Sequence, residues 1–290
     1  MICNLCPRMC GAVRTKERGE GRCGAPSEPV VALAALHHWE EPCISGSRGS
    51  GAVFFSGCPL GCVFCQNGSI SHGGFGRTIS VERLREIFQE LIAQGAHNIN
   101  LVSPTQFTLP IREALEEPPQ VPVVWNTGGY ERVETLRLLE GRVQIYLPDL
   151  KYADSALAQR CSGAADYFPV AAAAIREMVR QVGPCVFDDH GLLRRGVVIR
   201  HLLLPGAIEN TRAVMDYVAR TFAPGEVLFS LMAQYTPQAG AEGLLARRIT
   251  GAELRAAKAY MENVGITHGY TQELDAAQSS YTPIFDLRGV

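Results

Sequence analysis

Cys58, Cys62 and Cys65 stand in a Cys-x3-Cys-x2-Cys spacing inside a glycine-rich turn, and no other feature limits the fold of this chain so strongly. The residues before them, Ala52 to Ser56, read as a buried strand. Three thiols therefore sit at the C-terminal end of a strand, where α/β folds form their active sites. Gly57 and Gly61 allow the tight backbone path that turns three sulfurs inward. Three thiolates are one short of a closed structural zinc site, so a coordination position stays open to a further ligand. Soft sulfur donors suit an iron–sulfur cluster or zinc better than magnesium or calcium. A zinc site completed by Cys43 is the rival reading, and three inert buried thiols are the blandest one.

Four more cysteines crowd the start of the chain as Cys3-x2-Cys6-x3-Cys10-x12-Cys23, among Gly11, Gly19, Gly21 and Gly24. So short a segment has no apolar core of its own, and a metal would supply the missing folding free energy. A four-thiolate zinc site and an auxiliary iron–sulfur cluster both fit, and the ferredoxin run C-x2-C-x2-C-x3-C is not matched. Arg8, Arg14, Lys16, Arg18 and Arg22 surround these cysteines and read as a solvated face. The chain opens without a basic and apolar leader, so the expectation is a cytoplasmic protein whose thiols stay reduced.

Residues 1–50 form this Cys-rich segment and its lead-in, and from 51 to 290 strand and helix alternate. Strands are expected at 52–56, 98–103, 121–126, 143–147, 196–204 and 227–232. Helices are expected at 81–94, 108–117, 131–140, 153–161, 168–182 and 208–222, with a last one at 251–264 opened by the capping box Thr250…Glu253. Six strands, each followed by helix, predict an α/β fold with a parallel sheet, open or closed. Residues 184–195, with Asp188-Asp189-His190, are expected as a long surface loop. With 47% apolar and 19% charged residues the chain has the core such a sheet needs. A net charge of −2 provides no field to gather nucleic acid or anionic lipid. The apolar run 30–36 is far shorter than the about 20 residues of a membrane span.

Cys-x3-Cys-x2-Cys after the first strand of a βα array resembles the radical S-adenosylmethionine (radical SAM) superfamily. EEPCISGSRGSGAVFFSGCPLGCVFCQNGSI at 40–70 is similar to its branch related to pyruvate formate-lyase activating enzyme, as are YLPDLKYAD at 146–154 and GVVIRHLLLPG at 196–206. The resemblance covers essentially the whole chain and implies a partial (β/α)6 TIM-like barrel over 51–290. It also implies that Cys58, Cys62 and Cys65 hold a [4Fe–4S] cluster whose fourth iron binds the amino and carboxylate groups of SAM. One electron, from a low-potential donor of flavodoxin or ferredoxin type, then cleaves the sulfonium. The products are methionine and a 5′-deoxyadenosyl radical that abstracts hydrogen from a substrate. Phe64 takes the aromatic place where the family packs the adenine, and reads equally well as a core residue.

Asp149 and Lys151, two apart, project from one face of the fourth strand. The resemblance makes Lys151 a partner of the SAM carboxylate and Asp149 a residue that orders the site, with or without a monovalent cation. The alternative is a surface ion pair worth about 0–1 kcal/mol. Arg200 and His201 face opposite ways on the fifth strand, so at most one points inward. Arg200 matches an activating-enzyme arginine and is the candidate; His201 reads as a structural histidine. Asn126 and Thr127 end the third strand, where activating enzymes carry an aspartate. Ser103-Pro104-Thr105 ends the second, where relatives have Gly-Gly-Glu and backbone carbonyls meet the SAM amino group. Gln234 and Tyr235 are weaker substrate-contact candidates. Cys161 and Cys185 read as core thiols, and the adjacent His37 and His38 make a poor chelate.

The expected function is that of a radical SAM enzyme, an oxidoreductase whose substrate the sequence does not name, with proteins among the candidates. An activating enzyme that installs a glycyl radical on a partner enzyme is the alternative within that class. Gln66-Asn67 departs from it, because activating enzymes carry histidine after the third cysteine. A zinc-dependent binding module that uses both clusters structurally is the alternative from another class.

Overall fold

Short apolar runs become strands of one sheet because each can bury both faces only between neighbours. The computed structural model describes residues 2–277 and 281–290. Two short strands, β1 (Ile2–Cys3) and β2 (Ala12–Val13), pair as a separate antiparallel hairpin. The main sheet contains β3 (Val30–His37), β4 (Ser50–Phe55), β5 (Arg77–Thr78), β6 (Ile99–Val102) and β7 (Val123–Thr127). It continues with β8 (Ile145–Pro148), β9 (Val186–Phe187), β10 (Leu193–Leu202), β11 (Leu228–Met232) and β12 (Gly269–Thr271). The order is β12-β11-β10-β8-β7-β6-β4-β3-β5, with β9 against β10. From β4 to β12 along this path every pairing is parallel, whereas β3 pairs antiparallel with β4 and β5.

All six expected strands form, and the fold is α/β with a mostly parallel sheet. Six strands, β1, β2, β3, β5, β9 and β12, went unpredicted. β3 (VVALAALH) carries no alternation and precedes the βα pattern, and the three residues of β12 are too few for any period. Residues 184–195 are a hairpin rather than a loop: Phe187 pairs with Leu193, and Asp188 Oδ1 accepts from the backbone N–H of His190 and Leu192 at 3.0 Å.

The helices are α1 (Pro42–Ser45), α2 (Gly68–Ser71), α3 (Val81–Ala93), α4 (Thr108–Ala114) and α5 (Val133–Arg137). They continue with α6 (Ser155–Ser162), α7 (Tyr167–Val182), α8 (Ile208–Thr221) and α9 (Gly251–Asn263). Ser80 and Asp154 cap α3 and α6 through their side chains, and Thr250 with Glu253 forms the expected capping box of α9. Among the described residues no helix is long and apolar enough to cross a membrane.

Alternation along the strands separates two faces. Phe55, Leu101, Trp125, Tyr146, Ile199 and Phe229 face the helices and join Leu84, Ile87, Phe88 and Leu91 of α3 in the main core. Each such fully buried side chain contributes about 1.5–3 kcal/mol. On the opposite face Val124, Ile145, Leu147, Val198 and Leu228 pack against Cys43 and Ile44 of α1. One step further along three of these strands the same face turns polar, at Asn126, Asp149 and Arg200. The change from apolar to polar marks the mouth of the sheet. Past β12 the chain crosses to the far edge, where residues 287 and 288 bond to Ala32 and Ala34 of β3.

Candidate functional site

A cavity of about 230 Å³ opens at the C-terminal ends of the parallel strands. It collects Cys58, Cys62 and Cys65 with Asn126, Asp149, Lys151 and Arg200. Thr127, Ser103 and Phe64 also line it, so most of the residues singled out by sequence meet in one place.

The cysteine loop leaves β4 through Gly57, whose φ of +80° favours glycine. A Cβ there would stand 2.6 Å from the carbonyl oxygen of Cys23. Burial, together with the fields of Cys62 and Cys65, pushes the Cys58 thiol up to about 12, and burial also raises Cys65. Two sulfurs receive hydroxyl donors: Ser71 lies 3.2 Å from Cys65 Sγ and Ser162 lies 3.1 Å from Cys62 Sγ. Among the described residues no three His, Cys, Asp or Glu side chains are gathered to hold a single metal ion. Three soft donors, two of them already hydrogen-bonded at sulfur and all facing one cavity, fit a thiolate-ligated iron–sulfur group.

Beside the thiols lies a paired charge network. Arg200 donates through Nε to Asp149 Oδ1 at 2.9 Å, through Nη1 to Glu40 Oε2 at 3.0 Å, and through Nη2 to Asn126 Oδ1 at 2.6 Å. Lys151 Nζ pairs with the other oxygen of Asp149. Burial opposes ionisation of Asp149, but Arg200 and Lys151 outweigh it and hold its carboxyl below the usual range. Asp149 in turn keeps Lys151 above its ordinary value against burial. Glu40 Oε1 receives Asn100 and Asn126, each at 3.0 Å. Glu41, next in the chain, is buried, and burial raises its carboxyl.

The N-terminal segment docks against the back of the cysteine loop. Arg8 donates to the carbonyls of Pro59 (2.9 Å), Leu60 (3.2 Å) and Ser162 (2.6 Å), and also to Gly163. Arg14 donates to the carbonyls of Ala25 at 2.9 Å and Gln106 at 2.6 Å. Gln106 Nε2 lies 2.8–3.1 Å from the carbonyls of Ser103, Gly57 and Ser56. Cys3 and Cys6 are buried and Cys23 is half-buried, but Cys10 is exposed, so the four thiols are not closed around one point. Burial pushes Cys6 up to about 12, with Cys23 and Cys3 adding to it.

Other expected residues part company with the cavity. Pro104 and Thr105 do not line it; the Thr105 hydroxyl turns to Glu131, a buried carboxylate that also receives Thr127 and Trp125. Cys43 lies in the apolar layer under the network, away from the three thiols, because α1 carries it to the opposite end of the strands. A zinc site completed by Cys43 is therefore not formed. Cys161 is buried in the main core as expected, and Cys185 packs beside the layer that holds Cys43. His201 is buried on the helix side, bonded to Leu150 and Thr211. Phe64 separates this cavity from a second, larger groove of about 980 Å³ and meets Tyr152 and Tyr235 edge-on. Gln234 lines the first space and Tyr235 the second. His37 reaches the first cavity, and burial pushes its imidazole down to about 4.

Glu40, Gln106, Ser71 and Ser162 went unnoticed in the sequence, and Arg8 and Arg14, expected on a solvated face, instead bond to backbone carbonyls of the chain they dock on, with Arg14 buried. All act across long sequence separations or from short helices; Glu40, Ser71, Gln106 and Ser162 lie in or beside flagged stretches, but no periodic pattern marks them.

The profile of the radical SAM superfamily matches residues 52–215. An uncharacterised protein of Methanocaldococcus jannaschii is 30% identical over 268 residues, covering 88% of this chain and 72% of its own. Streptococcus suis SuiB bound to its precursor peptide SuiA superposes with a TM-score of 0.53 at 15% identity, over 76% of this chain. SuiB bound to S-adenosylmethionine gives 0.51 at 16% identity over 77%. This chain spans about half the length of SuiB, 48% and 47% in the two structures. A radical SAM methyltransferase from Sphaerobacter thermophilus gives 0.51 at 18% identity, over 78% of this chain and 68% of that one. At such identities the structural likenesses speak for the fold alone.

Proposed function

The chain belongs to the radical SAM superfamily, and from that premise we propose that Cys58, Cys62 and Cys65 hold a [4Fe–4S] cluster at which S-adenosylmethionine is reductively cleaved. The observation that carries this reading is the meeting of three thiols with Asp149, Lys151 and Arg200 around one cavity at the strand ends. When bound, the cluster supplies the electron that splits the sulfonium into methionine and a hydrogen-abstracting 5′-deoxyadenosyl radical.

The chain's own residues bind and orient. Lys151 has three donors and gives one to Asp149, leaving the others for the SAM carboxylate. Asp149 keeps that ammonium charged and aimed, and Arg200 fixes Asp149 while being held itself by Glu40 and Asn126. Ser103, with its φ of +56°, presents backbone at the rim beside Asn126 and Thr127 for the amino group. Phe64 forms the wall for the adenine.

The finer reading is a partial (β/α)6 barrel over residues 51–290, of the branch related to pyruvate formate-lyase activating enzyme, with residues 1–50 as a metal-binding segment. Cys3, Cys6, Cys10 and Cys23 would close on zinc or on a second iron–sulfur cluster as the metal enters. A low-potential flavodoxin- or ferredoxin-like protein delivers the electron, and proteins are among the candidate substrates. Ten free cysteines suit the reducing cytoplasm.

Anaerobic reconstitution followed by reduction is expected to give the EPR signal of a reduced [4Fe–4S] cluster, and SAM with dithionite is expected to release 5′-deoxyadenosine. Absence of the signal overturns the cluster, and absence of 5′-deoxyadenosine overturns the SAM step. A colourless protein containing zinc alone would select a structural binding module instead.

A further inference from the structure

Two of the three cavity thiols carry hydroxyl donors that lie outside the cysteine loop. Ser71, in α2, stands 3.2 Å from Cys65 Sγ, with His72 Nδ1 3.4 Å from the same hydroxyl. Ser162, the last residue of α6 and 2% exposed, stands 3.1 Å from Cys62 Sγ. The Tyr152 hydroxyl lies 2.8 Å from Ser162 Oγ. A chain of donors therefore runs from Tyr152 through Ser162 to Cys62, and in a buried setting each link polarises the next. Cys58 faces backbone N–H groups of Leu60 and Gly61 instead.

Ser162 is held in place from both sides. Arg8 Nη2 donates to its carbonyl at 2.6 Å, and the Val63 N–H donates to the Cys161 carbonyl at 2.9 Å. Arg8 also grips Pro59 and Leu60, so the end of α6 and the loop bearing Cys58 and Cys62 form one unit.

We propose that Ser71 and Ser162 are positioning residues that set the reduction potential of the cluster, with Tyr152 reinforcing Ser162. This rests on the function proposed above. Reduction adds one electron, drawn from an external one-electron reductant, and moves no proton. The added negative charge spreads onto the thiolate sulfurs, and a hydroxyl donor holds a more negative sulfur more strongly. Donors at sulfur therefore favour the reduced state and raise the potential. The two serines keep the cluster reducible by an ordinary low-potential carrier.

The test is a redox titration, read by EPR, of reconstituted native protein and of Ser71→Ala, Ser162→Ala, the double variant and Tyr152→Phe. At the ambient potential that half-reduces the native cluster, each alanine is expected to lower the ratio of reduced to oxidised cluster about tenfold, about 59 mV for a one-electron couple. The double variant should add the two shifts, and Ser71→Thr and Ser162→Thr should restore the native value. Tyr152→Phe keeps both serines and should shift the same way by less, which decides the matter where an alanine variant takes up no iron. A native cluster whose potential is unmoved by the alanine variants that load and by Tyr152→Phe overturns the inference alone. Native protein that binds no iron and sulfide overturns the proposed function as well.

Discussion

Nη1 of Arg200 donates to Oε2 of Glu40 at 3.0 Å, joining residues 160 positions apart. The contact ties the loop after β3 to the outer part of β10 and completes a guanidinium already bonded to Asp149 and Asn126. Both partners are largely withdrawn from water, at 13% and 9% side-chain exposure. Removing one member of such a pair leaves a buried charge short of its counter-ion. Glu40→Ala is therefore expected to cost about 3 kcal/mol, the low end for broken buried pairs because Asp149 remains. Glu40→Gln keeps an acceptor for Asn100 and Asn126 and should cost less. Urea denaturation of the two variants measures this; equal and small losses would mean that the pair contributes little.

His201 ties pH to stability. Its Nδ1 lies 2.7 Å from the Leu150 carbonyl and so donates, leaving Nε2 to accept the Thr211 hydroxyl at 2.9 Å. The neutral ring suits this site, and burial pushes its pKa from 6.5 down to about 4. Between those values the unfolded chain binds a proton that the folded protein refuses. Stability is therefore fully present above the unfolded pKa and falls as pH drops from about 6.5 to about 4, by about 3 kcal/mol from this residue. His201→Gln offers the same donor and acceptor without the proton. Comparing stability near pH 7 and about pH 4.5, the native protein should lose about 2.5 kcal/mol more than the variant. Parallel pH curves would show that His201 does not couple to protonation.

What the sequence reveals and what it hides follow from range. Asp149 and Lys151 announce themselves by a spacing of two at the end of an apolar strand, and Arg200 is separated from His201 by the same alternation. These are local patterns, and periodicity reads local patterns. Glu40 lies in a loop with no period, and its partners Asn100, Asn126 and Arg200 come from three different strands. Thr105 looks like a rim residue by position, yet a turn of 3₁₀ helix aims it at Glu131. Cys43 looks like a fourth ligand by proximity in sequence, and α1 carries it under the sheet.

Arg8 should behave as a strut. Its acceptors include the carbonyls of Ser162 and Gly163, at the C-terminus of α6, where a cation also complements the helix dipole. It further grips Pro59 and Leu60 and lies over the Tyr130 ring at 5.3 Å. Arg8→Ala is expected to cost about 2 kcal/mol and to free the first residues of the chain from the cysteine loop. Limited proteolysis should then cut near the N-terminus faster than in the native protein, with Arg8→Lys intermediate, since an ammonium lacks the planar fork. Unchanged cleavage would mean that other contacts, Arg14 with Gln106 foremost, suffice.

The N-terminal segment is expected to need a metal to hold it together. β1 and β2 contribute only two residues each, and glycine takes positive φ at Gly11 and Gly24, so local structure alone stabilises the segment weakly. Its attachments to the rest of the chain include Arg8, the buried Arg14, Thr135 with Leu5, and Arg132 with Asn4. Inside, Cys3, Cys6 and Cys23 lie close enough for their fields to overlap. A metal drawing these thiols together with Cys10 would supply the missing internal bonds. Replacing Cys3 and Cys6 by serine is expected to remove about one zinc or about four irons per chain, while the signal of the Cys58/Cys62/Cys65 cluster persists. Counting iron, sulfide and zinc in anaerobically purified protein distinguishes the two. A double variant with the full native metal count would show that the four N-terminal cysteines hold none.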